Sequence, residues 1–293
     1  MTIIPEELAI HEPDDELLEI INDKEFDDTI LCEVQSDFHN IKVVENEIGR
    51  FIHYKDTYQA GFIDTPAYKG NLPYINYFTI PSIINPDIQN ILLIGFGTGK
   101  LVNDYEKLFQ KLNTIDIVDI EENILNLAQD FFDFKKSKKM NFYLQDGLVF
   151  LRNTKKNYDL IVVDVASDDG IDERFVSAEY LKLISSRLSK NGIFVSNLCA
   201  SPDFEHPQNI FINHIKELYT NTFKHTMIFK GNTSDRVYYK SFFNIDKRVI
   251  DITNVIILAS GNKLIIDKPN YINEKLNLDI SPYLRDLTFD LLN

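Results

Sequence analysis

Ile91-Leu92-Leu93-Ile94-Gly95-Phe96-Gly97-Thr98-Gly99 is the stretch on which the fold turns. Four consecutive apolar residues run directly into three glycines at alternate positions. A short, wholly apolar run bounded by glycine predicts a strand buried on both faces. The glycines allow positive φ and let the backbone approach a ligand closely. The helix expected next would present its N-terminus to polar or negative groups.

Downstream of this turn the chain alternates. A helix is expected through Leu108, then a strand over 115–118, a helix over 122–132, a strand over 141–144 and a helix around 149–151. Residues 160–163 form the most apolar strand, followed by a helix over 178–188 that Asn191-Gly192 ends and a strand over 193–196. A helix over 209–223 and strands over 226–229 and 255–258 complete the pattern. Strands separated by helices of this length predict an α/β fold with a doubly wound, mostly parallel Rossmann-type sheet.

Upstream, the apolar residues Ile41, Val43, Val44, Phe51, Ile52 and Tyr54 flank the turn-like Asn46-Glu47-Ile48-Gly49. That pattern predicts a small N-terminal β-hairpin unit, with a third strand near 58–63. A helix is expected over 71–84, with prolines at its edges. The expected organisation is an acidic arm over 1–30 with a short helix at 15–21, a small β domain over 31–64, the Rossmann-type domain over 65–262 and a tail over 263–293.

Several residues carry chemistry. The second strand ends in Val118-Asp119, about 20 residues past the glycine turn, where a carboxylate can accept both hydroxyls of a ribose. Lys100 stands where a nicotinamide-type G-x-G-x-x-G would need glycine, whereas Gly95, Gly97 and Gly99 have the G-x-G-x-G spacing of adenosylmethionine enzymes. Asp146 and Gly147 follow the third strand. There Asp146 can accept from an exocyclic adenine amine or cap the next helix, and both readings stand. Asp164 ends the most apolar strand and opens an acidic loop with Asp168, Asp169 and Asp172. Open α/β sheets bind ligands outside the carboxyl ends of their strands, so a carboxylate there can orient a substrate amine or take its proton.

The 293-residue chain carries 30 Lys and Arg against 45 Asp and Glu, a formal charge of −15. This argues against nucleic acid or an anionic membrane as partner. It suits a cationic substrate such as a polyamine, although charge alone is better explained by a solvated acidic surface. Hydrophobic residues make up 44% and charged residues 26%, ordinary for a globular protein with a sizeable core. No apolar run approaches the roughly 20 residues that span a bilayer. The acidic N-terminus lacks the layout of a secretory signal, so cytoplasmic residence is expected. Cys32 and Cys199 form no metal or redox motif and are expected to be buried free thiols. The 6 histidines have no ligand spacing, so no metal is expected.

Taken in order, these features resemble the spermidine synthase family, the aminopropyltransferases. The glycine turn matches the family's first-strand signature. Val118-Asp119-Ile120-Glu121 is similar to its V-E-I-D, Gln145-Asp146-Gly147 to its G-D-G, and Tyr158-Asp159-Leu-Ile-Val-Val-Asp164 to its Y-D-x-I-x-x-D. Upstream, Ser36-Asp-Phe-His39-Asn-Ile-Lys-Val43 and Tyr58-Gln59-Ala-Gly61 are similar to the S-x-Y-x-x-I-x-V and Y-Q-S-G of a spermidine-synthase-like branch. The resemblance covers roughly residues 32–262. It implies an adenosylmethionine-type cosubstrate, decarboxylated or intact, bound by Gly95, Gly97, Gly99, Asp119, Asp146 and Gly147. It further implies Asp164 as base or amine-orienting group, Asp168 as a second carboxylate, and Gln59 and Tyr74 as lining for a small-molecule amine. It also implies that the chain could form a homodimer.

The chain departs from the family at three places, the first being the late P-T-Y-P-S segment near the substrate, where Lys230-Gly-Asn-Thr-Ser-Asp stands instead. Thr98 replaces the acidic residue that holds the donor's amine, and the D-S-S-D-P loop reads Asp164-Val-Ala-Ser167-Asp168. Three functions are therefore expected in descending order. They are transfer of an aminopropyl or related alkyl group to an amine, methyl transfer from adenosylmethionine on the same site, and a non-catalytic relative.

Overall fold

The computed structural model describes residues 27–54, 57–66, 69–165, 173–200, 208–230 and 253–265. The expected helix at 15–21, Asp168 with Asp169 and Asp172, and the tail beyond 265 lie outside the described residues.

The chain first forms a five-stranded antiparallel sheet of β1 (Thr29–Gln35), β2 (Asn40–Asn46), β3 (Gly49–Tyr54), β4 (Thr57–Asp64) and β5 (Lys69–Asn71), in that order. The hairpin read from the sequence is β2–β3, turning through Asn46 and Gly49. Strands β1 and β5 were not expected; both are edge strands without strong apolar alternation, and they pair only because β2 and β4 offer free edges.

Residues 71–84 do not form one helix. Asn71 ends β5, a 3₁₀ segment runs over Pro73–Thr79 and a single α-turn over Pro81–Ile84. Two prolines lack the N–H that an uninterrupted helix would need, so each begins a new short segment.

Among the described residues the second sheet has seven strands. In chain order it contains β6 (Asn90–Ile94), α1 (Lys100–Leu108), β7 (Thr114–Asp119), α2 (Ile124–Phe131), β8 (Met140–Leu144), α3 (Gly147–Asn153), β9 (Tyr158–Val163), α4 (Ala178–Arg187), β10 (Leu188–Ala200), α5 (Gln208–Thr222), β11 (His225–Lys230) and β12 (Thr253–Ser260). The spatial order is β11-β12-β10-β9-β6-β7-β8. Strands β6 to β10 are parallel, and β12 is antiparallel to both neighbours. The last sequence strand therefore inserts between β10 and β11 instead of adding at an edge. Strand β10 is also longer than expected: Asn191-Gly192 does not end the preceding helix but lies inside the strand, where its pairing with β9 shifts between Leu188 and Ile193.

Alternation along the central strands explains the layering. Ile91 and Leu93 of β6, with Leu160 and Val162 of β9, belong to one core with α1, α2 and the antiparallel sheet. Leu92, Ile94, Ile161 and Val163 point the other way, into a core with α3, α4 and α5. Strands covered on both faces read as continuous apolar runs, which is why this part of the chain was legible. The first core continues without a break through Tyr77 and Phe78 to Val43 and Phe51, so the antiparallel sheet closes over one end of the Rossmann sheet. Cys32 is partly buried and free; the side chain of Cys199 lies outside the described residues.

Candidate active site

The carboxyl ends of four neighbouring strands, β9, β6, β7 and β8, form the floor of one cleft. Their pairing extends one residue past each strand: Asp164 N donates to Ile94 O at 2.9 Å, Gly95 N to Val118 O at 2.9 Å and Gln145 N to Asp119 O at 3.0 Å. Adjacent strands lie about 4.8 Å apart. The glycine turn is thus flanked by Asp164 on one side and Asp119 on the other, with Asp146 one strand beyond. Gly95, Gly97, Gly99, Asp119, Asp146, Gly147, Asp164, Gln59 and Tyr74 all border this single cleft. The structure brings together every described residue that the sequence singled out.

Gly95 has φ +90°, and a Cβ there would overlap the carbonyl oxygen of Asp164. Glycine is required for β6 and β9 to lie this close at their tips. Gly99 caps the N-terminus of α1.

Asp119 accepts from Phe96 N and Glu121 N, each at 2.8 Å. One bond ties it to the glycine turn and the other to its own loop. Burial raises its pKa, opposed by these backbone donors. Asp146 performs one of its two expected roles outright: its Oδ1 accepts from Leu148 N at 2.8 Å and Val149 N at 3.0 Å, capping α3. Its Oδ2 accepts from Arg174 Nη1 at 3.1 Å.

Asp164 sits between two donors. Tyr74 Oη reaches its Oδ2 at 3.2 Å and Asn197 Nδ2 reaches its Oδ1 at 3.0 Å. Burial pushes its pKa up to about 6, while the two hydrogen bonds hold it from rising further. Asn197 Oδ1 is buried and has no partner among the described residues, although Asn197 borders the cleft. A carboxylate and an unused amide carbonyl side by side form an acceptor pair suited to an N–H donor.

Gln59 reaches the cleft through a β-bulge. Across β3–β4, His53 pairs with Tyr58 and Ile52 with Ala60, leaving Gln59 as the extra residue. Bulges of this kind re-aim a side chain beside functional sites.

Sequence reasoning missed Asn197, Arg174, Glu121 and His39 as cleft residues. Asn197 had a usable signal as a polar residue near the end of an apolar strand, and Glu121 and His39 stood inside motifs already quoted; Arg174 had none. Among the described residues no group of three or more His, Cys, Asp or Glu is disposed to hold a metal ion, and no helix is long and apolar enough to cross a membrane.

A family model described as the spermine/spermidine synthase domain matches residues 78–229, just over half of the chain. The chain belongs to the spermine/spermidine synthase family. It is 29% identical over 177 residues to a polyamine aminopropyltransferase of Clostridium botulinum (strain Eklund 17B / Type B), covering 59% of this chain and 60% of that relative. The match thus spans less than two thirds of the relative's length. Among solved structures, a spermidine synthase in complex with the transition-state analogue AdoDATO superposes with a TM-score of 0.64 at 15% identity, over 88% of this chain and 85% of that one. Human methyltransferase-like protein 13 in complex with SAH gives 0.53 at 19% identity, over 74% and 94%. These likenesses show the Rossmann, methyltransferase-like fold.

Proposed function

We propose that this chain transfers an aminopropyl group from decarboxylated S-adenosylmethionine to a small amine. The observation that carries the proposal is Asp164, held by Tyr74 and Asn197 on the cleft floor directly beside the glycine turn.

The cleft residues fit an adenosyl thioether. The glycine turn exposes backbone for close approach, Asp119 offers its remaining lone pairs to ribose hydroxyls, and Asp146 Oδ2 suits the adenine amine. The cosubstrate supplies a carbon made electrophilic by its bond to a sulfonium. With a pKa near 6, Asp164 is ionised at neutral pH and holds the cationic acceptor at the floor. The attacking nitrogen first gives a proton to Asp164 Oδ2, which passes it on to water, and the lone pair so freed attacks that carbon; the C–N bond forms as the C–S bond breaks, and methylthioadenosine leaves. Tyr74 and Asn197 fix the carboxylate, and Gln59 lines the acceptor side. Asp168 keeps the role implied by the resemblance, a second carboxylate for the amine. A homodimer belongs to the same proposal.

Thr98 favours a second reading. It borders the cleft, is buried and carries no charge where the family's acid would hold the donor's amine. Methyl transfer from intact S-adenosylmethionine could therefore use the same cleft.

Incubation with decarboxylated S-adenosylmethionine and a panel of polyamines tests the first reading through release of methylthioadenosine. Release with at least one amine is expected; none with any amine overturns it. Calorimetry separates the two donors, and tighter binding of the decarboxylated form removes the methyltransferase reading. Asp119→Ala should abolish binding of either donor.

A further inference from the structure

Glu121 lies two residues beyond Asp119 and borders the same cleft, yet neither a strand ladder nor a helix cap uses its side chain. The residue is 2% exposed. Its Oε1 pairs with His39 Nδ1. Its Oε2 is buried and has no partner among the described residues. A buried carboxylate oxygen without a donor is uncommon, because the desolvation penalty is then uncompensated. A structural ion pair with His39 would account for one oxygen and leave the other unexplained.

Asp119 is constrained differently. Both of its oxygens already accept backbone N–H groups, one from the glycine turn and one from Glu121 itself. Compared with the family's V-E-I-D, this chain has the shorter acid first and the longer acid second. The shorter side chain is tied down at the turn, and the longer one ends in an unused oxygen. The His39 ring holds that longer side chain from the turn between β1 and β2, stacked on Tyr54 at 4.5 Å with an interplanar angle of 14°.

We propose that Glu121 is a direct contact for one of the two vicinal ribose hydroxyls of the adenosyl substrate, with Asp119 serving the other and His39 acting as a positioning residue for Glu121. The proposal rests on an adenosyl thioether occupying the cleft. A vicinal diol is the ligand chemistry that presents two O–H donors at the spacing of neighbouring acceptors, and one neutral donor satisfies Oε2 without adding charge.

The test is calorimetry on the full chain with methylthioadenosine and its 2′-deoxy and 3′-deoxy analogues. In the wild type, removing the hydroxyl that faces Glu121 should weaken binding at least about tenfold, as for a hydrogen bond to a charged group. In Glu121→Ala the same analogue should bind within about threefold of methylthioadenosine, while the other analogue keeps its full penalty. Should Glu121→Ala fail to fold, Glu121→Asp carries the same reading, since it keeps the charge and loses the reach. His39→Ala should lower discrimination at that one hydroxyl and spare it at the other, which a merely structural role would not do. Unchanged discrimination at both hydroxyls in the Glu121 variants, with normal wild-type binding, overturns the inference alone. Failure of the wild type to bind methylthioadenosine overturns the adenosyl reading and the inference with it.

Discussion

The hydroxyl of Tyr74 donates to Asp164 Oδ2 at 3.2 Å, across 90 positions of sequence. Tyr74 belongs to the 3₁₀ segment that joins the two sheets, and Asp164 to the tip of a central strand. The bond places the protonation state of a floor carboxylate under the control of the linker. Both this donor and Asn197 lower the Asp164 pKa against burial. Tyr74→Phe and Asn197→Ala should therefore each raise it further above about 6, moving the acidic limb of the pH–rate profile to higher pH. A limb that stays in place in both variants would show that Asp164 does not govern it.

Stability should respond in the opposite sense. Folding raises the Asp164 pKa from its ordinary 3.8 to about 6, so folding favours the protonated form. That contribution is complete below about pH 4 and is lost as pH rises through 6. Asp164→Asn should accordingly be more stable than wild type at pH 8, by about 1–3 kcal/mol, and equal to it near pH 4. Urea unfolding at the two pH values measures the difference. Turnover should be lost at both.

Two glycines of the turn should behave differently. Gly95→Ala would place its Cβ on the Asp164 carbonyl at φ +90°, and more than about 2 kcal/mol of stability should be lost. Gly97 has φ +54°, and a Cβ there would lie 3.3 Å from Ala60 Cβ. Gly97→Ala should fold with a loss of about 1 kcal/mol and fail chiefly in ligand binding. Denaturation midpoints and calorimetry separate the two effects.

Asp146 and Arg174 can be pulled apart. Asp146→Ala removes the cap of α3, at a cost of about 1 kcal/mol, together with the acceptor proposed for adenine. Arg174 is 60% exposed in its side chain, so its ion pair contributes less than about 1 kcal/mol to stability. Arg174→Ala should leave unfolding nearly unchanged and tighten adenosyl thioether binding a fewfold, because Asp146 Oδ2 then has no competitor. Weaker binding in Arg174→Ala would instead make the guanidinium a ligand contact.

A network away from the cleft should matter to stability alone. Asp116 of β7 is fully buried and accepts from Tyr158 Oη at 2.7 Å, Lys156 Nζ at 2.8 Å and Asn141 Nδ2 at 2.8 Å. Asp116→Ala leaves the buried Tyr158 hydroxyl without its acceptor and should cost about 3 kcal/mol. The Michaelis constants of the folded fraction should not move.

Most of the Rossmann sheet could be read from the chain alone. Ile91–Ile94 and the apolar run before Asp164 are buried on both faces, and a residue buried on both sides advertises itself by composition. The glycine turn and the acids at 119, 146 and 164 were equally legible, because turn chemistry and strand ends are local properties. Tertiary structure decided the rest. Strand β12 pairs between β10 and β11 through contacts that no neighbouring residue in sequence specifies, and β1 and β5 exist because an edge was available to them. The bulge that turns Gln59 into the cleft depends on register against β3. Asn197, Arg174 and His39 entered the site by proximity across distant segments, whereas Glu121 follows Asp119 by two positions in the same loop. The raised pKa of Asp164 has the same origin: desolvation depends on what surrounds a group in space, and a linear chain does not carry that information locally.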